Sequence, residues 1–237
     1  MARTDEAVVL AGGFGTRLRS VITDVPKPLA PIRGRPFLCL LLDMLASQGI
    51  RRVVLATGYM GDKVVETLGS QWRGMALVYS QEDQPLGTGG AIAKAAAHIE
   101  GDAWFVLNGD TYLSLDYPSF DAQVREAGAL LGMALAHVPD VARYGAVRVE
   151  QGRVAGFVEK GESGPGYINA GVYRIERGLM ASFRAATPFS FENTVLVSEA
   201  ERGVVTGYTR TDAFIDIGVP EDYARAQDAL QMIGGAV

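Results

Sequence analysis

The segment Leu10-Ala-Gly-Gly-Phe-Gly-Thr-Arg-Leu-Arg19, followed by Pro26-Lys27-Pro28, decides how the rest of the chain is read. Before it, Ala7-Val-Val-Leu10 is apolar, partly β-branched and stopped by glycine, which predicts a short buried strand. The strand empties into a turn carrying Gly12, Gly13 and Gly15. Glycine lets successive N–H groups converge and lets a ligand approach the backbone, which suits phosphate. Arg17 and Lys27 add fixed positive charge for a polyanion. The combination fits a nucleoside triphosphate. A Walker loop is ruled out, because Thr16-Arg17 follows Gly15 where Lys-Ser/Thr would be needed. The dinucleotide fingerprint fails as well, with Leu18 in place of its third glycine or alanine.

Downstream, the pattern predicts a helix from Phe37 to Gln48 closed by Gly49, then a strand over Arg52-Val-Val-Leu-Ala-Thr57. A helix about Asp62 to Leu68, a strand at Ala76-Leu-Val-Tyr79, a helix from Thr88 to Ile99 and a strand at Trp104-Phe-Val-Leu107 follow. Strand and helix alternating over short links imply parallel strands covered by helices on both faces. In such sheets ligands collect at the carboxyl ends of the strands. The glycine loop, the segment after Tyr79, and Asp110 all fall there. The second half changes character. Strands are expected at 130–137, 146–149, 154–158, 168–173 and 214–217, with a Gln151-Gly152 hairpin turn. Helices are expected at about 176–184, 191–201 and from Pro220 onward. With no repeat, low-complexity tract or linker, one domain spanning 1–237 is expected.

Composition narrows the partners. Hydrophobic residues at 48% and charged residues at 21% describe a globular chain rather than a disordered one. A net charge of −5 argues against nucleic acid or an anionic membrane. The polar, acidic Met1-Ala-Arg-Thr-Asp-Glu6 is unlike a signal peptide, and no apolar run could span a bilayer. The single Cys39 can form no internal disulfide, so a cytoplasmic location is expected, with Cys39 as a buried small hydrophobe. His98 and His137 show no ligand spacing and read as structural.

The quoted loop with Pro26-Lys27-Pro28 resembles the signature of the sugar-1-phosphate nucleotidyltransferases. The resemblance runs in order through Pro85-Leu-Gly-Thr-Gly-Gly90, Leu107-Asn-Gly-Asp110, Glu159-Lys160, Asn169-Ala-Gly171 and Phe214-Ile-Asp-Ile-Gly-Val-Pro-Glu-Asp222. It implies a three-layer α/β/α Rossmann-like fold with a mainly parallel mixed sheet. A nucleotide-binding lobe would take about 1–115 and a sugar-binding lobe about 116–237. The implied reaction is attack by a sugar 1-phosphate oxygen on the α-phosphorus of a nucleoside triphosphate, releasing pyrophosphate. Mg2+ is the implied cofactor, on Asp110 and Asp216. Ser20 to Pro28 and Phe189-Ser-Phe-Glu192 lie nearest the branch that places GMP from GTP on a heptose 1-phosphate. Alternatives within the class are a mannose 1-phosphate guanylyltransferase or an N-acetylmuramate 1-phosphate uridylyltransferase. Outside it stands a non-catalytic subunit that binds a nucleotide sugar. The oligomeric state stays open, a homodimer included. The chain ends soon after its last helix, so the appended β-helix of some relatives is not expected.

The resemblance also assigns residues. Arg17 would grip the triphosphate and meet charge developing in the transition state, with Lys27 on the phosphates and Asp110 completing the catalytic set. Leu10, Ala11, Gly12, Gly13, Gly15, Thr16, Arg17, Glu82, Gly87 and Thr88 would bind the nucleotide, Thr88 also capping its helix. Asn108, Gly109, Tyr144, Gly145, Glu159, Lys160, Asn169 and Gly171 would hold the sugar phosphate. Glu82 points to guanine, because a carboxylate offers two acceptors to the adjacent N1–H and N2 amino donors.

Overall fold

The computed structural model describes residues 3–13, 15, 17–18, 21–22, 24–183 and 188–234, with side chains as far as residue 230. Strand β1 (Glu6–Leu10) has both of its faces covered: Ala7 and Val9 pack into one apolar cluster and Val8 into another. A strand buried on two sides reads as a continuous apolar run, and that is how Ala7 to Leu10 reads.

The first half of the chain supplies the parallel part of the sheet. A short antiparallel pair, β2 (Pro31–Ile32) and β3 (Arg35–Pro36), leads into helix α1 (Phe37–Ser47) and strand β4 (Arg52–Thr57). Helix α2 (Gly61–Leu68), the two-residue β5 (Gln71–Trp72) and β6 (Met75–Gln81) come next. Helix α3 (Gly87–Ala96) then precedes β7 (Ala103–Asn108). Strand β1 lies between β4 and β7, parallel to both, and β6 lies parallel beyond β4. Outside these strands the ladder continues into the loops. Ala11 N–H bonds to Ala56 O at 2.8 Å, Gly109 N–H to Leu10 O at 2.9 Å and Glu82 N–H to Thr57 O at 2.7 Å. The loop ends are thereby fixed against one another.

In the second half come β8 (Thr111–Leu115), α4 (Tyr117–Glu126), β9 (Leu131–Val138), β10 (Val147–Glu150), β11 (Arg153–Phe157) and β12 (Gly166–Glu176). After a π-helical stretch (Glu192–Leu196) follow α5 (Val197–Glu201), β13 (Val205–Tyr208), β14 (Thr211–Asp216) and α6 (Pro220–Gly234). The main sheet has ten strands in the order β10-β11-β13-β9-β12-β7-β1-β4-β6-β5. Only β5, β11 and β12 run against the others, so the sheet is mixed and mostly parallel. It crosses from one half of the chain to the other through the β7–β12 pairing.

The two apolar clusters occupy the two faces. Helices α1, α2, α4 and α6 supply Leu41, Val64, Phe120 and Ala226 to one, and α3 and α5 supply Ile92 and Ala200 to the other. This is the expected three-layer arrangement. Two expected helices have altered forms. The segment near 176–184 contains a 3-10 helix, Arg177–Ser182, and that near 191–201 begins as π-helix. The Gln151-Gly152 turn has positive φ at both positions, 50° and 75°, the primed geometry that suits a hairpin.

Candidate active site

At the carboxyl ends of β1, β6 and β7 lies a cleft of about 330 Å³, lined by Leu10, Gly12, Gly13, Lys27, Glu82, Gly87, Thr88, Asn108, Gly109, Asp110 and Glu192. Most of the expected nucleotide-binding residues meet there. Gly12 must be small: a Cβ on it would come within 3.1 Å of Gly58 N and 3.5 Å of Glu82 Oε1. Gly15 has φ +58°, and a Cβ there would sit 2.9 Å from Lys27 Cβ. The glycine loop therefore rests directly on the stem of the lysine. Lys27 heads a 3-10 turn, Lys27–Leu29, and forms an ion pair with Asp110. Ala11 is buried and serves the ladder. Arg17 is exposed and makes no ion pair among the described residues. Thr16 lies outside the described residues.

Glu82 takes the backbone N–H of Leu86 on Oε2 at 3.0 Å, which fixes the carboxylate at the cleft wall. Gly87 has φ +69° and a Cβ there would strike Phe189 O at 2.5 Å. Thr88 differs from expectation. The cap position of α3 is Leu86, with no side-chain cap bond, and the Thr88 hydroxyl instead donates to Glu192 Oε2 at 2.6 Å while accepting Phe191 N–H at 2.9 Å. Having both roles filled within the protein, it clasps α3 to the 189–192 segment.

Asp110 and Asp216 approach through the two-stranded ribbon of β8 and β14, where Asp216 pairs with Thr111 and Ile217 N–H bonds to Asp110 O at 3.0 Å. Burial raises the Asp216 carboxyl above its ordinary value, and the charge of Asp110 adds to this against the opposing pull of Lys27. Two carboxylates so placed call for a cation. Their donor set is hard oxygen with few protein ligands, which fits Mg2+ completed by phosphate oxygens and water. Among the described residues no group of three His, Cys, Asp or Glu forms a closed cage.

Asp216 also lines a neighbouring hollow of about 490 Å³ with Asp140, Arg143, Tyr144, Phe214, Asp222 and Arg225. Here the sequence reading missed a device. Asp222, in the first turn of α6 and only 3% exposed, pairs with both Arg143 and Arg225. Arg143 then lies 5.0 Å over the Tyr144 ring and bonds its hydroxyl at 3.2 Å. Burial works to raise the Asp222 carboxyl, but the bond from Arg143 and the charges of both arginines hold it below the usual range. Gly145, φ +84°, leaves no room for a side chain against Val158 O at 2.8 Å.

Of the other expected sugar residues, Asn169 and Gly171 lie at an irregularity in β12, where pairing with β9 jumps between Asn169 and Val172. Asn169 donates to the Tyr173 hydroxyl at 2.8 Å and accepts Gly171 N–H at 3.0 Å. Gly171, φ +67°, packs under the Asn108 side chain. These three are brought together with the cleft. Glu159 and Lys160 do not line that cleft: both are exposed past the end of β11 with no ion pair among the described residues, and Lys160 lies beside Gly145.

A phosphate-suited glycine loop over a lysine, with two carboxylates at adjoining strand ends, defines a site for phosphoryl chemistry on a nucleotide. The chain belongs to the nucleotidyl transferase family, whose model matches residues 6–232. It is 39% identical over 226 residues to D-glycero-alpha-D-manno-heptose 1-phosphate guanylyltransferase of Aneurinibacillus thermoaerophilus, covering 95% of this chain and 98% of that one. The corresponding enzyme of Campylobacter jejuni is 39% identical over 219 residues, 92% of this chain and 96% of that one. Among solved structures, HddC from Yersinia pseudotuberculosis complexed with GMP-PN superposes with a TM-score of 0.83 at 37% identity, covering 95% and 99% of the two chains. Among the described residues no helix is long and apolar enough to cross a membrane.

Proposed function

We propose that the protein transfers GMP from GTP to D-glycero-α-D-manno-heptose 1-phosphate, releasing pyrophosphate. The observation that carries this reading is the position of Glu82 in the same cleft as the Lys27–Asp110 pair. One end of the cleft thus offers a carboxylate to a base and the other offers a phosphate-handling centre. The Leu86 N–H uses one lone pair of Oε2, so both carboxylate oxygens can still accept from guanine. Full-length likeness to two guanylyltransferases that act on this heptose phosphate supports the choice of base and sugar together.

In the reaction an oxygen of the sugar phosphate attacks the α-phosphorus. A new P–O bond forms there, the bond to the β-phosphate oxygen breaks, and its electron pair leaves with pyrophosphate. Two polyanions must come into contact, so the protein's task is alignment and charge neutralisation. The glycine loop supplies N–H donors, Lys27 its ammonium, and Arg17, from the loop rim, a guanidinium for the charge that develops. Asp110 and Asp216 would hold Mg2+, which when bound supplies positive charge to the reacting phosphates. Asn108, Asn169 and Gly171 would line the sugar side, with the Tyr144-Gly145 loop beside it. Glu159 and Lys160 would hold the sugar phosphate from the end of β11, Lys160 beside Gly145. The continuous ten-stranded sheet supports one domain with a nucleotide lobe and a sugar lobe.

Pyrophosphate release with four nucleoside triphosphates against a panel of sugar 1-phosphates tests the reading. GTP with the heptose 1-phosphate should give the highest kcat/KM. A higher value with mannose 1-phosphate, or with UTP and an amino sugar, would replace it.

A further inference from the structure

Glu192 was not expected in the site, yet it lines the cleft with Asn108, Asp110 and Lys27. It opens the π-helical stretch Glu192–Leu196, a form that recurs at functional positions. Its Oε2 receives two hydroxyl donors, Thr88 at 2.6 Å and Ser190 at 2.9 Å. Thr88 is itself pinned by Phe191 N–H, so the carboxylate is oriented from both sides. None of these donors brings charge, and among the described residues no ion pair reaches Glu192. An anion beside a polyphosphate cleft repels the phosphates and loses solvation as substrate enters, unless neutral donors on the substrate satisfy it. Hydroxyl groups are such donors.

Its neighbours indicate which hydroxyls. Phe191, next to Glu192, packs its ring against the buried Tyr173 at 4.9 Å; the Tyr173 hydroxyl accepts from Asn169, and Asn169 in turn holds the backbone of Gly171 beneath Asn108. Glu192 therefore neighbours the group of residues placed on the sugar side and shares the cleft wall with Asn108. We propose that Glu192 is a sugar-binding residue whose Oε1 accepts a hydroxyl of the sugar 1-phosphate. This rests on the GMP-transfer reading above.

The test uses Glu192→Gln, which keeps the size and an oxygen for Thr88 and Ser190, with KM for the sugar 1-phosphate, Kd for GTP alone and Tm as readouts. The wild type on the sugar panel reports on GMP transfer; the variant, on whichever sugar the wild type uses, reports on Glu192. Sugar KM should rise about tenfold or more, as for loss of a bond to a charged acceptor, while GTP Kd stays within about twofold and Tm is unchanged. The penalty should also vanish on one monodeoxy analogue of that sugar 1-phosphate, because the analogue lacks the hydroxyl being read. Unchanged sugar KM, a penalty that persists on every deoxy analogue, or weakened GTP binding with normal sugar KM would each overturn the proposal. The last would move Glu192 to the ribose. A wild type that uses no sugar 1-phosphate overturns both readings.

Discussion

Asp110 and Asp216 differ in what surrounds them but are placed to do the same work. Asp110 is paired with Lys27, whereas Asp216 is held by Gly218 N–H at 2.6 Å in a half-buried position beside Asp110's charge. Neither is needed to hold a strand, so Asp110→Asn and Asp216→Asn should each cost at least about 100-fold in kcat with little change in Tm. A loss of only a few fold in both would remove the two-carboxylate centre. Glu82→Gln exchanges an acceptor for a donor at the base. Going by about 1–3 kcal/mol for a bidentate base contact, preference for GTP over the pyrimidine triphosphates should fall at least tenfold. An unchanged preference would mean that backbone reads the base. Gly87→Ala meets both the positive φ and Phe189 O, so a loss of Tm is expected together with weaker GTP binding.

Between elements, the Asp222 clamp ties the first turn of α6 to the loop before β10 and so holds Tyr144 in place. Asp222→Asn should raise KM for the sugar phosphate several-fold while leaving GTP Kd unchanged, and an equal loss for both substrates would make the clamp merely structural. This contact spans 79 residues of sequence, and nothing local announces it. The same holds for Glu192 and Thr88, 104 residues apart. The glycine loop and the acid after β7 were legible because each is a local pattern at a strand end, and Lys27 because two prolines flank it. Strand β8 and helix α4 were overlooked although Asp116 carries an N-cap signal, accepting Ser119 N–H at 3.2 Å with Pro118 in the first turn. Strand β8 is short and follows Asp110 directly, with no glycine between them to mark its start. The π-helical opening at Glu192 has no sequence signature of its own, although Phe191 and Leu196 at its two ends are buried in one apolar cluster.

On the scale of the whole molecule, one mixed sheet carries the cleft and the residues proposed for the sugar side, while charged side chains stitch the outer elements to it. Asp43 on α1 is the clearest stitch, bonding Arg35 of β3, the Trp72 indole N–H at 2.9 Å and Arg73. Burial tends to raise its carboxyl, but these three bonds hold it below its ordinary value. A depressed carboxyl stabilises the fold fully above the unfolded value near 3.8 and loses that contribution as pH falls through the lower folded value. Asp43→Asn should accordingly lower Tm at neutral pH and reduce the loss of Tm between pH 4 and pH 2; parallel pH profiles would contradict the clamp. Chelation should stop turnover without lowering Tm, since the fold described here closes on its own side chains. In the proposed reaction GMP passes directly from GTP to the sugar phosphate, with no covalent stop on the protein. Turnover of GTP labelled at the α-phosphorus with the heptose 1-phosphate, followed by separation of all products, measures this. All transferred label should appear in the guanosine diphosphate sugar and none on the protein, one pyrophosphate being released for each. Label retained on the protein after denaturation without acid, or recovered as free GMP, would contradict it.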